Sequence, residues 1–123
     1  MRLRLSVCVA ALLLISCGRD LPTLTGIDTA KWKDDKNACL GVRQTMESGL
    51  RTEIPKLKGL AEMDIIKLLG RPDQNELYKR NQKFYYYFIS PGPACEHADT
   101  VTLKLVLRFN AMGYAQLVSI ENN

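Results

Sequence analysis

The sequence has few of the residues, and none of the common motifs, on which enzyme chemistry depends. Its 123 residues include a single histidine, His97, and its acidic residues are scattered along the chain. It contains no glycine-rich phosphate loop after a strand, no G-x-S-x-G nucleophile elbow and no H-E-x-x-H zinc motif. We therefore expect neither an enzymatic activity nor a cofactor.

An excess of charge of one sign is lacking as well. The net charge of +4 includes Arg2 and Arg4, and without these two arginines 15 basic residues face 13 acidic ones. The basic side chains are spread out and are not interleaved with aromatic residues, as they are in surfaces that stack nucleic-acid bases. This pattern predicts a solvated surface and no nucleic-acid partner.

The N-terminus contains an apolar run, residues 5–15, that is too short to span a bilayer as a stable helix. A basic start before this run and a cysteine after it predict a signal peptide over residues 1–16. The letters LISC at its end resemble the bacterial lipobox. The resemblance implies that Cys17 becomes the first residue and carries a diacylglyceryl group with fatty chains such as palmitate. The competing interpretation is a plain secretory signal followed by a chance cysteine.

The residue after the lipobox cysteine bears on the location of the protein. Gly18 stands where an aspartate would retain a lipoprotein in the inner membrane, so the resemblance implies lipid anchoring in the outer membrane. We expect the domain to face the periplasm. Residues 17–31 contain proline, glycine and threonine without periodicity, which predicts a flexible tether before a domain over residues 32–123.

Two helices are predicted in the first half of this domain. Apolar side chains at helical spacing between Trp32 and Pro55 predict a first helix, which the proline ends. A second amphipathic helix is predicted to end near Leu69. Gly70 stands at the closing position of this helix, and Pro72 prevents it from continuing.

Beyond Pro72 the apolar period changes to two, as in strands. Residues 76–79 and 83–89 predict a hairpin, residues 101–109 a third strand and residues 114–120 a last strand. Strands that follow one another through short turns pair as a meander. The sequence therefore predicts an α+β fold in which two helices pack on one face of a three- to four-stranded antiparallel meander sheet, an ααβββ two-layer sandwich.

The second strand of the hairpin, KFYYYFI, is dense in aromatic residues. One alternate set of its side chains must face the helices and the other must face away. Because a tyrosine hydroxyl can stay hydrated, we expect Phe84, Tyr86 and Phe88 to be buried. Tyr85 and Tyr87 would then lie outside and anchor a protein partner. The alternative is that these two tyrosines only cover the sheet.

Two of the four cysteines, Cys39 and Cys95, remain in the mature domain, because Cys8 leaves with the signal peptide and Cys17 carries the lipid. An even pair in an oxidising periplasm predicts a disulfide. The competing interpretation is chemistry, since a thiol, a carboxylate and an imidazole follow one another in Cys95-Glu96-His97. A zinc site would need more nitrogen or sulfur ligands than this loop offers, so we expect no metal.

The mature chain resembles the SmpA/OmlA or BamE-like small lipoproteins of the outer membrane over residues 57–123. The stretches that carry the resemblance, besides the lipid signal, are LKGLAEMDIIKLLGRPD, KFYYYF and RFNAMGYA. It implies a compact ααβββ domain that assists the assembly of outer-membrane β-barrel proteins or the integrity of the cell envelope. The implied partners are envelope proteins, including the β-barrel assembly machinery. Because β-lactamase inhibitor proteins share a related two-layer shape, the alternative is a secreted inhibitor or another protein-binding module.

Overall fold

The computed structural model describes residues 20–122. The signal peptide predicted over residues 1–16 and the lipidation predicted at Cys17 lie outside the described residues. The described part is an α+β fold with four α-helices, where the sequence predicts two, followed by a four-stranded antiparallel sheet, so the predicted α+β class is confirmed. No helix in this part of the chain is long and apolar enough to cross a membrane.

The helices all precede the sheet in the chain. They are α1 (Thr29–Asp34), α2 (Val42–Thr45), α3 (Glu47–Leu57) and α4 (Glu62–Leu69), with a short 3-10 turn at Lys36–Ala38 between α1 and α2. The strands are β1 (Gln74–Tyr78), β2 (Gln82–Phe88), β3 (Leu103–Phe109) and β4 (Ala115–Asn122). They lie in the sheet in the order β1-β2-β3-β4 with antiparallel neighbours. The predicted meander is therefore confirmed.

The prediction of one helix over residues 32–55 is wrong, because the structure divides this stretch into α1, α2 and most of α3. Asn37 and Gly41 adopt positive φ angles of 58° and 74°, which a right-handed helix cannot contain. The carboxylate of Asp35 stabilises the break. It is buried and accepts a hydrogen bond of 3.0 Å from the backbone N–H of Arg43. Such local side-chain bonds to the backbone compete with helical bonds.

The helix also passes Pro55, where the sequence predicts its end. α3 continues to Leu57, and the backbone N–H of Lys58 donates to the carbonyl of Ile54 at 3.2 Å. Pro55 has no N–H to donate to the carbonyl of Arg51 and its ring crowds that carbonyl, but the groups after it can still close the last turn. The proline therefore lies inside the last turn of α3.

Packing begins before Trp32, the predicted start of the domain. Leu24 and Ile27 are buried and belong to the core. The chain near them approaches α3 very closely, since a Cβ atom on Gly49 would lie 1.8 Å from the carbonyl oxygen of Gly26. The glycine inside α3 permits this contact. The boundary between the predicted tether and the domain therefore moves from residue 32 to Leu24.

The end of α4 agrees with the prediction. The helix ends at Leu69, and Gly70 follows with a φ of 81°. The carbonyl of Gly70 accepts a hydrogen bond of 2.8 Å from the hydroxyl of Tyr87 in β2. Gly70, which ends this helix, thus also joins the helix to the sheet through this hydrogen bond.

The core is one cluster of apolar side chains from the helices and from alternate positions of the strands. The helices contribute Trp32, Leu50, Leu57, Ile65 and Leu69, and the strands contribute Tyr85, Tyr87, Leu105, Leu107 and Phe109. In β3, Leu105, Leu107 and Phe109 are buried at the predicted spacing of two, but Val106, predicted on the other face, is buried as well. Full burial of one such side chain contributes about 1.5–3 kcal/mol, so the cluster is the main source of stability.

The predicted disulfide is present, with the sulfur atoms of Cys39 and Cys95 at 2.05 Å. It joins the segment between α1 and α2 to the loop between β2 and β3. A backbone hydrogen bond of 3.0 Å from Gly92 to Asn37 joins the same two segments. The long loop before β3 is therefore held against the helical part of the domain.

Candidate protein-binding surface

The two tyrosines predicted to meet a partner, Tyr85 and Tyr87, are buried, with 5% and 0% of their surface exposed. The hydroxyl of Tyr87 donates to the carbonyl of Gly70, and that of Tyr85 donates to the carboxylate of Glu62. The predicted orientation of β2 is therefore wrong. A tyrosine hydroxyl can stay hydrated on the wet face, but here partly buried acceptors in α4 and its cap satisfy both hydroxyl groups.

Phe84 and Tyr86 lie on the opposite face of the sheet, which we call the outer face. Both are partly exposed, contrary to the prediction that they are buried. Phe88 also points to this face but is 2% exposed, because the loop after β2 covers it. A Cβ atom on Gly92 in this loop would lie 2.7 Å from the Phe88 ring. The outer face is thus closed at one end and open at the other.

Three aromatic side chains at the open end, Tyr78, Phe84 and Tyr86, form what we call the aromatic cluster. The rings of Tyr78 and Phe84 meet edge to face with centroids 5.3 Å apart, and those of Phe84 and Tyr86 are stacked at 6.0 Å. The antiparallel register of β1 and β2 brings the three side chains to one face. Aromatic pairs of this kind stabilise each other by about 0.5–1.5 kcal/mol beyond burial. The three rings therefore support one another on the outer face.

Two charged residues on neighbouring strands hold Tyr86 in place. The Nζ atom of Lys104 lies 4.4 Å from the ring centroid, which is a cation–π contact. The hydroxyl donates to Glu76 at 2.7 Å. Burial and the bond to Glu76 raise the pKa of Tyr86 to about 12. The hydroxyl is therefore a stable hydrogen-bond donor at neutral pH.

The strand beside the cluster, β1, is an edge of the sheet, and all five of its residues are exposed. Leu77 is 81% exposed and points away from the outer face. It lines a cavity of about 250 Å³ together with Glu62, Lys83 and Tyr85. The Nζ atom of Lys83 lies 3.2 Å from the Glu62 carboxylate. The edge thus offers both free backbone groups and an open apolar side chain.

A second cleft, of about 400 Å³, lies where α1 and α4 end. Its rim carries Lys33, Lys36 and Arg71, and its floor includes Arg43 and Asp73. Within residues 20–122 the three rim residues make no salt bridge, whereas Arg43 and Asp73 are paired at 2.6 Å. The cleft is therefore basic at its rim and neutralised at its floor.

The loop that suggested an alternative chemistry has no free thiol. Cys95 is bonded to Cys39, while Glu96 and His97 are exposed. In the described part of the chain, no three or more histidine, cysteine or acidic residues are grouped so that they could hold a metal ion. Cys95 is therefore neither a nucleophile nor a metal ligand in this oxidised state.

Comparisons of the chain with known protein families, with curated proteins and with solved structures gave no match. The function is therefore inferred from the surface features described above and from the sequence. The aromatic cluster and the β1 edge lie next to each other, because Tyr78 belongs to both.

Proposed function

We propose that this chain is a lipid-anchored lipoprotein of the outer membrane whose domain faces the periplasm and binds protein partners without catalysing a reaction. The observation that carries the proposal is the aromatic cluster on the outer face of the sheet. Tyrosine and phenylalanine are enriched at protein interfaces, and tyrosine is frequent among the residues that dominate binding energy. Rings that already support one another lose less conformational freedom when a partner covers them.

The proposal includes a two-layer arrangement in which the helices cover one face of the sheet. The joint core of helix and strand residues supports this arrangement, since Ile65 and Leu69 of α4 share a cluster with Tyr87 and Leu107. One covered face leaves the outer face available for a partner. In this arrangement the side chains of the covered face stabilise the fold, and those of the outer face contact the partner.

The proposed partners are envelope proteins, including the machinery that assembles outer-membrane β-barrels. The resemblance to SmpA/OmlA or BamE-like lipoproteins supports this part of the proposal. So does the order of elements in residues 57–122, where one short helix ends at Leu69 and an antiparallel meander follows. The domain would act as an accessory that holds a partner near the membrane.

The lipid anchor is tested by mass spectrometry of the protein purified from membranes. The expected N-terminal residue is Cys17 with a diacylglyceryl group. A free Cys17 thiol, or cleavage at another position, would contradict the anchor. This result is independent of the partner experiment, because a soluble form can still bind proteins.

Partner binding is tested by gently solubilising the membranes and identifying the proteins that purify with the chain. We expect barrel-assembly proteins with the wild type and a loss of these proteins with Tyr78→Ala/Tyr86→Ala. The control is Tyr114→Ala, because Tyr114 is 47% exposed and Tyr78 is 50% exposed. Unchanged recovery by a double variant with an unchanged melting temperature would contradict the proposed surface. Recovery of a soluble hydrolase instead would favour the inhibitor alternative.

A further inference from the structure

We infer that β1 is the docking edge of the domain and that it accepts an extended segment of a partner protein as an additional strand. The segment carries a basic residue opposite Glu76 and an apolar residue beside Leu77. This inference rests on the proposed function and names the chemistry of the partner. It follows from the β1 backbone, from the cavity beside Leu77 and from the charge of Glu76.

The first step is that β1 lacks the usual protection of an edge strand. An edge leaves alternate backbone N–H and C=O groups unpaired, and proteins commonly shield them with lysine, proline, a bulge or a covering loop. The sequence Gln74–Tyr78 contains neither lysine nor proline and only one charged side chain, Glu76, and its register with β2 continues through five residue pairs without a bulge. All five residues are exposed. The free backbone groups therefore favour a polypeptide as the ligand.

The opposite edge, β4, is protected at its start. The backbone N–H of Gly59 donates to the carbonyl of Ala115 at 2.8 Å, and the N–H of Ala115 donates to Leu60 at 2.8 Å. A register shift between Arg108 and Phe109 also interrupts the pairing of β3 with β4. The start of β4 is thus bonded to the segment before α4, and β1 is the edge next to the aromatic cluster.

The second step concerns the residue of the added strand that lies opposite Leu77. Its side chain would point to the same face of the sheet as the core. Successive residues of a strand point to opposite faces, so the residue opposite Leu77 would point into the cavity of about 250 Å³. Leu77 is 81% exposed at the mouth of this cavity. An apolar side chain there would cover Leu77 and the edge of the Tyr85 ring. The exposed Leu77 side chain therefore favours an apolar residue at this position, beside the Glu62–Lys83 pair that also lines the cavity.

The third step concerns the neighbouring residue, which would point to the outer face opposite Glu76. Glu76 accepts the hydroxyl of Tyr86 and makes no salt bridge within residues 20–122. Opposite charges stabilise a cross-strand pair and like charges destabilise it. A basic residue is therefore favoured. A second copy of this chain, paired in the antiparallel register centred on β1, would place Glu76 opposite Glu76 and is disfavoured.

The test uses the full chain and a synthetic peptide of about seven residues, the length of a typical strand. In this peptide, every odd position is valine, the central position is lysine and the remaining positions are threonine. A second peptide carries glutamate in place of lysine. We expect the lysine peptide to bind about fivefold more tightly than the glutamate peptide. Glu76→Lys is expected to reverse this preference.

The location of the peptide is tested by amide hydrogen exchange and by a matched pair of variants. Exchange of the β1 amides is expected to slow when the lysine peptide is bound. Leu77→Lys is expected to weaken binding about tenfold, because a lysine on an edge blocks strand addition. Leu117→Lys is the control, since Leu117 is 42% exposed on β4. The affinity of the Leu117→Lys variant for the lysine peptide is expected to equal that of the wild type.

Several outcomes would overturn the inference. They are the absence of binding by both peptides, unchanged exchange in β1, and equal binding by Leu77→Lys and wild type. A self-association that Leu77→Lys abolishes would assign the edge to a second copy instead. If Leu77→Lys keeps its envelope partners while Tyr78→Ala/Tyr86→Ala loses them, the proposed function stands and strand addition fails.

Discussion

The guanidinium of Arg43 in α2 lies 2.6 Å from the carboxylate of Asp73, the residue before β1, and both side chains are almost fully buried. Asp73 also accepts hydrogen bonds from the backbone N–H groups of Phe88 at 2.8 Å and Asn37 at 2.9 Å. Arg43 lies 4.6 Å from the ring centroid of Trp32. This buried pair therefore sets the position of the edge strand relative to both the helices and β2.

Removal of Asp73 is predicted to destabilise the domain strongly. Asp73→Ala would leave the Arg43 charge buried without its partner, so we expect the free energy of unfolding to fall by about 3–5 kcal/mol. Denaturant unfolding followed by circular dichroism measures this change. The control is Glu47→Ala, which breaks the exposed pair of Glu47 with Arg51 and is expected to change stability by less than about 1 kcal/mol. Similar effects of the two substitutions would contradict the role of the buried pair.

Loss of the disulfide is predicted to be a second large destabilisation. Cys39 and Cys95 are 56 residues apart, and in the chain-entropy model a closed loop of this length stabilises by about 4 kcal/mol. We expect reductant to lower the denaturation midpoint of the wild type and to leave that of Cys39→Ala/Cys95→Ala unchanged. A wild-type midpoint that does not respond to reductant would show that the bond does not contribute.

Stability is predicted to fall at alkaline pH because of the three tyrosines of β2. Burial raises the pKa values of Tyr85, Tyr86 and Tyr87, and that of Tyr86 rises to about 12. An unfolded tyrosine has a pKa of about 10, so above that pH the unfolded state releases protons that the folded state keeps. The stability present below pH 10 is therefore lost as the pH rises toward 12 and beyond.

The alkaline prediction is checked by denaturant unfolding at several pH values, with tyrosine ionisation followed by ultraviolet absorbance. Tyr86→Phe removes one titrating group, so its stability should fall less steeply between pH 10 and about 12 than that of the wild type. Parallel curves for the two proteins would show that Tyr86 titrates alike in the folded and unfolded states.

The elements that could be predicted from the sequence are those with local signals. α4 ends where Gly70 and Pro72 indicate, and Leu105, Leu107 and Phe109 of β3 are buried at the predicted spacing of two, whereas the burial of Val106 does not follow it. The local signal for the break after α1 is weaker and consists of Asn37 and Gly41, residue types that tolerate a positive φ. It depends on hydrogen bonds that the Asp35 carboxylate accepts from the backbone N–H groups of Leu40 and Arg43, which reach it only when the chain turns.

The orientation of β2 shows a different limit. Six consecutive residues, from Phe84 to Ile89, are apolar or aromatic, so alternation within the strand did not distinguish its faces. The better signal was Ile89, which shares a face with Tyr85 and Tyr87 and is fully buried. The hydroxyl acceptors, Gly70 and Glu62, belong to α4 or its cap, so only the tertiary structure brings them to β2.

The measurement that tests the account most directly is photocrosslinking in intact membranes with benzoylphenylalanine in place of Tyr78. Tyr78 belongs to both the aromatic cluster and the β1 edge, so a bound partner must lie within reach of this position. The same substitution at Tyr114, which is similarly exposed, is the control. We predict a crosslink to an envelope protein from position 78 and none from position 114. A crosslink only from position 114, or none from either position in a correctly folded and lipidated protein, would contradict a protein-binding role for this surface.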